Sequence, residues 1–139
     1  MDGRYSSHGE ADTIRIAGEL AADLAGGDII LLIGDLGAGK TAFVRGLVAG
    51  LGGDPDDVSS PTFALIQPYA ARLTVQHVDL YRVEAGAVSD LGLDELSTPS
   101  TVVAIEWADR LPRGLRPAVC VSIEDRGGDL REIRIETLA

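Results

Sequence analysis

The sequence predicts one α/β domain of three layers, with a mostly parallel central sheet and an antiparallel hairpin near its C-terminal end. Three observations carry this. Ile29-Ile30-Leu31-Leu32-Ile33 is an unbroken branched apolar run, the pattern of a strand buried on both faces. Thr101-Val102-Val103-Ala104-Ile105-Glu106 is a second such run and ends in a carboxylate. Val119, Val121 and Ile123 alternate with polar neighbours, Arg126-Gly127-Gly128-Asp129 turns the chain, and alternation resumes from Leu130 to Thr137.

The remaining elements follow in order. Met1 to Gly9 combines Gly, Ser and charge and reads as a loose, flexible start to a single domain over residues 1–139. Asp12 or Thr13 can cap a helix whose apolar positions Ile14, Ala17, Leu20, Ala21 and Leu24 keep helical spacing, with Gly26-Gly27 closing it. The strand at 29–33 then enters Gly34-Asp35-Leu36-Gly37-Ala38-Gly39-Lys40-Thr41, which fits G-x-x-x-x-G-K-[ST], the phosphate-binding loop or Walker A motif. Thr41 to Leu51 continues as a helix with Phe43, Leu47, Val48 and Leu51 on one face. Strand, glycine turn and helix together aim backbone N–H groups and a helix N-terminus at an anion. In this motif Lys40 reaches the β- and γ-phosphates and the Thr41 hydroxyl ligates Mg²⁺.

Asp54-Pro55-Asp56-Asp57 is a turn-forming acidic loop. Pro61 holds Ser60 extended and a strand is expected after it; Ser59, Ser60 and Thr62 read equally as turn chemistry or as a loop that senses the γ-phosphate. Leu73 to Leu80 alternates as a strand that ends in Asp79-Leu80-Tyr81-Arg82. A carboxylate at the carboxyl end of such a strand lies where α/β sheets bind ligands. Asp79 is therefore a candidate to orient attacking water or to help hold Mg²⁺, with capping of the next segment as the plain alternative. His77 reads as a structural histidine rather than a base, and Arg82 has Asp79, Glu84 or phosphate as partners. Glu84 to Leu96 is weakly helical, broken by Gly86 and Gly92. Apolar strand then acid is the Walker B pattern, which makes Glu106 a Mg²⁺ candidate. Trp107 packs in the core or beside the nucleotide.

Composition narrows the function. Hydrophobic residues make up 45% of the chain and charged ones 24%, which suits a folded globular domain rather than a disordered one. A chain of this size buries about two-thirds of its unfolded surface. No apolar run approaches a membrane span and no basic-then-apolar leader opens the chain, so a cytoplasmic protein without membrane attachment is expected. The single Cys120 excludes an internal disulfide and a cysteine metal site, and its alternating surroundings suit a buried strand position rather than a nucleophile. The formal net charge of −10 opposes direct binding to a polyanion. Any nucleic acid in this protein's work is expected to be held by something else.

Four segments occur together in this order: Gly34 to Thr41, Ser60-Pro61-Thr62-Phe63, His77-Val78-Asp79-Leu80-Tyr81-Arg82, and Glu106-Trp107. The set resembles the TsaE (YjeE) family, the bacterial ATPases of tRNA threonylcarbamoyladenosine biosynthesis, from about Asp12 to the terminal hairpin. The resemblance implies a P-loop NTPase-like fold and an ATPase that acts with the TsaB and TsaD proteins, which hold the tRNA and perform the transfer. It implies that Leu36, Gly37, Ala38, Gly39, Lys40 and Thr41 bind ATP, that Thr41 and Glu106 hold Mg²⁺, and that Asp79 is needed for hydrolysis. The loop at Ser60 to Phe63 would be the nucleotide switch. Ala42 departs from the pattern, because members often carry a second hydroxyl residue there; this leaves a side-chain contact to the α-phosphate in doubt. A guanine-reading Asn-Lys-x-Asp is absent from the sequence. A small-molecule or nucleoside kinase, with Arg110, Arg113 and Arg116 as an imitation lid, is the enzymatic alternative. A nucleotide-gated assembly module with negligible hydrolysis is the other.

Overall fold

The computed structural model describes residues 1–34, 39–58, 66–80, 92–106 and 116–138. Its elements are β1 (Gly3–Ser7), α1 (Glu10–Ala21), β2 (Ile29–Ile33), α2 (Lys40–Gly50), a 3₁₀ turn (Pro55–Asp57), β3 (Ile66–Tyr69), β4 (Thr74–Asp79), α3 (Leu93–Leu96), β5 (Thr101–Glu106), β6 (Val119–Asp125) and β7 (Arg131–Thr137). The seven strands form one sheet in the order β1-β7-β6-β2-β5-β4-β3. The central strands β6, β2, β5 and β4 are mutually parallel, while β7, β1 and β3 pair antiparallel at the two edges. The sheet is thus mixed, parallel at its centre, and the expected C-terminal hairpin is β6–β7.

The two long helices share one face. Ile16, Ala17 and Leu20 of α1 and Phe43, Leu47 and Val48 of α2 cover Ile30, Leu32, Val102, Ala104, Val121 and Ile133. Each large apolar side chain buried this way contributes roughly 1.5–3 kcal/mol. The opposite face carries a smaller cluster in which Leu93 and Leu96 of α3 meet Ile29, Val78, Leu80, Val103 and Ile105. Among the described residues the helical layers are therefore unequal. The helices α1 and α2 approach closely because Gly46 has no side chain: a Cβ there would lie 2.4 Å from the Ile14 carbonyl oxygen and 2.5 Å from Ala17 Cβ. No helix among the described residues is long and apolar enough to cross a membrane.

Two expectations need correction. The loose start is instead a strand: β1 pairs with β7 from Gly3 opposite Ile135 to Ser7 opposite Arg131. Its hold comes from outside its own sequence, since the Thr137 N–H donates to Asp2 Oδ1 at 2.6 Å and Tyr5 packs on the core. The first helix begins at Glu10, so Asp12 and Thr13 lie inside its first turn rather than capping it. Asp12 Oδ2 accepts from the His8 N–H at 2.9 Å, and Thr13 Oγ1 meets the buried Ser7 Oγ at 2.7 Å. The strand expected after Pro61 is described only from Ile66 and runs on to Tyr69, as an edge strand where Pro68 is tolerated. Residues 59–65 lie outside the described residues.

Candidate functional site

The site is built at the carboxyl ends of the parallel strands. After β2 the chain reaches Gly34, and α2 begins at Lys40, preceded by Gly39 at φ +108°, a conformation that glycine adopts without strain. Leu36, Gly37 and Ala38, three of the expected ATP-binding residues, lie outside the described residues. Lys40 is almost fully buried, and its Nζ donates to the Gly34 carbonyl at 2.7 Å. The ammonium thus ties together the two ends of the predicted phosphate loop. Thr41 is half-buried in the first turn of α2.

Strand β5 lies between β2 and β4, with Glu106 opposite Leu32 on one side and Asp79 on the other. Val102 and Ala104 face the α1–α2 layer, so Glu106, two residues further at the same parity, faces it too. Val75 does the same on β4, which carries His77 and Asp79 to that face. The structure therefore brings Asp79 and Glu106 side by side in register, on the side of the sheet where α2 begins. Asp79 is half-buried and Glu106 is buried.

The sequence reading missed one partnership. His77 is fully buried and its Nε2 lies 2.9 Å from Glu106 Oε2. A carboxylate in its ionised form only accepts, and in that form the contact assigns the hydrogen to Nε2. His77 Nδ1 is buried with no hydrogen-bond partner among the described residues, an arrangement that typically costs about 1–3 kcal/mol. The Tyr69 ring packs near it, centroids 6.2 Å apart. The available signal was parity: His77 and Asp79 alternate on one strand face and so point to the same layer.

Arg45 of α2 was also unread. Its Nε donates to the Val58 carbonyl at 3.2 Å and its guanidinium pairs with Glu10, fixing the chain just before residue 59. The expected switch at Ser60 to Phe63 lies outside the described residues, as do Tyr81, Arg82 and Trp107. Cys120 is half-buried in β6, and burial, then the nearby Glu136, pushes its thiol above the usual range. That environment disfavours the thiolate a nucleophile needs. A cleft of about 420 Å³ lies along β1 and β7, lined by Arg4, Arg134 and Glu136, at the far edge of the sheet from β4 and β5.

The donors suit a hard cation bound partly by something other than protein. The described residues contain no group of three or more His, Cys, Asp or Glu able to hold a metal alone. Glu106 offers a carboxylate and Thr41 a hydroxyl, oxygen donors of the kind that hard cations take.

Fold and placement define a mixed α/β domain whose basic and acidic side chains gather where a glycine turn meets the ends of parallel strands. The chain belongs to the TsaE family, since the family model for the threonylcarbamoyl adenosine biosynthesis protein TsaE matches residues 7–133. It is 36% identical over 134 residues to the tRNA threonylcarbamoyladenosine biosynthesis protein TsaE of Treponema pallidum, covering 95% of this chain and 98% of that one. It is 37% identical over 115 residues to the TsaE protein of Rickettsia conorii, spanning 81% of this chain but only 65% of that relative. The crystal structure of YdiB from Bacillus subtilis superimposes with a TM-score of 0.77 at 31% identity, over 100% of this chain and 87% of that one.

Proposed function

We propose that this protein is a Mg²⁺-dependent, P-loop ATPase of tRNA threonylcarbamoyladenosine biosynthesis, cytoplasmic, and a partner of the TsaB and TsaD proteins. The observation that carries the reading is the seating of Lys40 against Gly34 at the start of α2, with Glu106 at the end of the neighbouring strand β5. Family membership supplies the pathway; the relatives named above are biosynthesis proteins for this modification.

In this reading the residues Leu36 to Lys40 bind the phosphates, and the Lys40 ammonium exchanges the Gly34 carbonyl for phosphate oxygens. Thr41 and Glu106 would hold Mg²⁺, which would neutralise charge on the phosphates. Asp79 accepts a hydrogen bond from water and orients it toward the γ-phosphate. Phosphoryl transfer depends mainly on such positioning and on charge stabilisation, so few groups suffice. The acidic chain leaves the tRNA to its partners.

The test is phosphate release from ATP by the purified protein, alone and with TsaB and TsaD. Stimulation by the pair, with no phosphorylated acceptor formed, is the expected result. Hydrolysis indifferent to the pair removes the pathway assignment, and phosphate transferred to an added nucleoside would instead make the protein a kinase.

A further inference from the structure

The contact between His77 and Glu106 is more selective than packing requires. His77 is fully buried, yet among the described residues one of its ring nitrogens, Nδ1, has no partner. Buried polar atoms are normally satisfied, and an apolar residue would fill the same space without leaving an orphan. The polar contact of His77 among the described residues is Nε2 to Glu106 Oε2. The sheet register makes this contact available. His77 stands opposite Ala104, and Glu106 stands opposite Asp79, so histidine and glutamate are diagonal neighbours on one face. Ala104 is small enough to let the longer Glu106 side chain lean back toward the imidazole. With Oε2 taken, Oε1 is the Glu106 oxygen that has no hydrogen-bond partner among the described residues.

We propose that His77 is the positioning residue of the cation site: its Nε2–H holds Glu106 Oε2 and so presents Oε1 to the divalent cation of the nucleotide. The proposal rests on the reading of Glu106 as a Mg²⁺ ligand. Hydrogen bonds of this kind orient a ligand and tune its basicity, and losing one typically weakens metal affinity about 10- to 100-fold.

The experiment titrates Mg²⁺ into the full chain premixed with a fluorescent ATP analogue and reads the half-saturating Mg²⁺ concentration. Affinity for the analogue in excess chelator is the control. His77→Leu removes the donor, His77→Asn carries one too short to reach Oε2, and His77→Gln carries one near the Nε2 position. The Leu and Asn variants are expected to need about 10- to 100-fold more Mg²⁺. The Gln variant should stay near the parent protein, and all should bind the analogue equally in chelator. A folded Leu or Asn variant with the parent Mg²⁺ requirement overturns the proposal, as does a Gln variant that loses as much as Leu. If the Leu variant does not fold, the Gln–Asn contrast decides. A parent protein whose analogue affinity ignores Mg²⁺ is a separate outcome, in which the cation role of Glu106 fails first and the role of His77 with it.

Discussion

The two sides of the sheet handle charge in opposite ways. Along β1, β7 and β6 the charged side chains are exposed or half-buried and pair with one another: Arg126 with Glu124 beside it and with Glu132 on β7, Arg131 with Asp125, Arg4 with Glu132. Around β2, β5 and β4 they are buried, Lys40 against a carbonyl and Glu106 against an imidazole. Exposed pairs gain little, because water and salt screen them and long side chains must be ordered. Buried charges oppose folding unless each finds a dedicated partner. Near the hairpin, charge follows from being at the surface. At the strand ends it is kept in spite of burial, and that is where a function must account for it.

The largest expected effects come from removing the buried set. Lys40→Ala should lower ATP affinity or turnover by about 10²-fold or more, as expected for loss of a preorganised charge at phosphate. Unaltered affinity and rate would break the phosphate-loop assignment. Asp79→Ala should retain ATP binding while slowing hydrolysis about 10²- to 10⁴-fold, whereas Glu106→Ala should abolish the Mg²⁺ dependence of binding. Equal loss of Mg²⁺-dependent binding in both would make Asp79 a metal group, and its water-orienting role would be wrong.

A second, smaller effect tests the platform beneath the site. Gly46→Val drives side-chain atoms into the Ile14 carbonyl and Ala17, and overpacking of this kind typically costs about 1–3 kcal/mol. A lowered denaturant midpoint is expected, with ATP binding weakened only as far as α2 shifts. In the hairpin, Arg131→Ala should cost less than Gly46→Val, because water partly screens its pair with Asp125, and should leave ATP binding untouched. A loss from Arg131→Ala as large as from Gly46→Val would erase the contrast drawn between the two regions.

How much of this was legible in the sequence follows from what determines each feature. Strands β2 and β5 could be read because burial on both faces demands unbroken apolar runs, and the hairpin because alternation brackets Gly127-Gly128. Asp79 and Glu106 were legible because strand ends are marked in sequence. Strand β1 was not, since its five residues Gly3–Ser7 gain their order from β7, more than a hundred residues away. The unequal helical layers among the described residues were equally hidden; the close approach of α1 and α2 depends on the lack of side chains at Gly46 and Gly50, and a glycine in a helix reads locally only as a weakness. The His77–Glu106 contact needed the register of two strands 29 residues apart, which no local pattern carries.

The smallest expected effect lies at the start of β1 and concerns pH. Asp2 Oδ1 accepts the Thr137 backbone N–H, and that hydrogen bond holds the Asp2 carboxyl below its usual value of 3.8. A carboxyl lowered on folding stabilises the folded state above its unfolded value, and that contribution is lost as pH falls through the folded value. The stability difference between the parent protein and Asp2→Ala should therefore be constant near neutrality and shrink as the pH drops below about 3.8, the usual value of the free carboxyl. Denaturant unfolding of both proteins at pH 7 and at successively lower pH measures it. Asp2 is fully exposed, so the difference should be smaller than for any substitution above. A difference that grows toward low pH would mean that charge at Asp2 opposes the docking of β1, and the strand's hold would then have to come from Tyr5 on the core and the β1–β7 ladder alone.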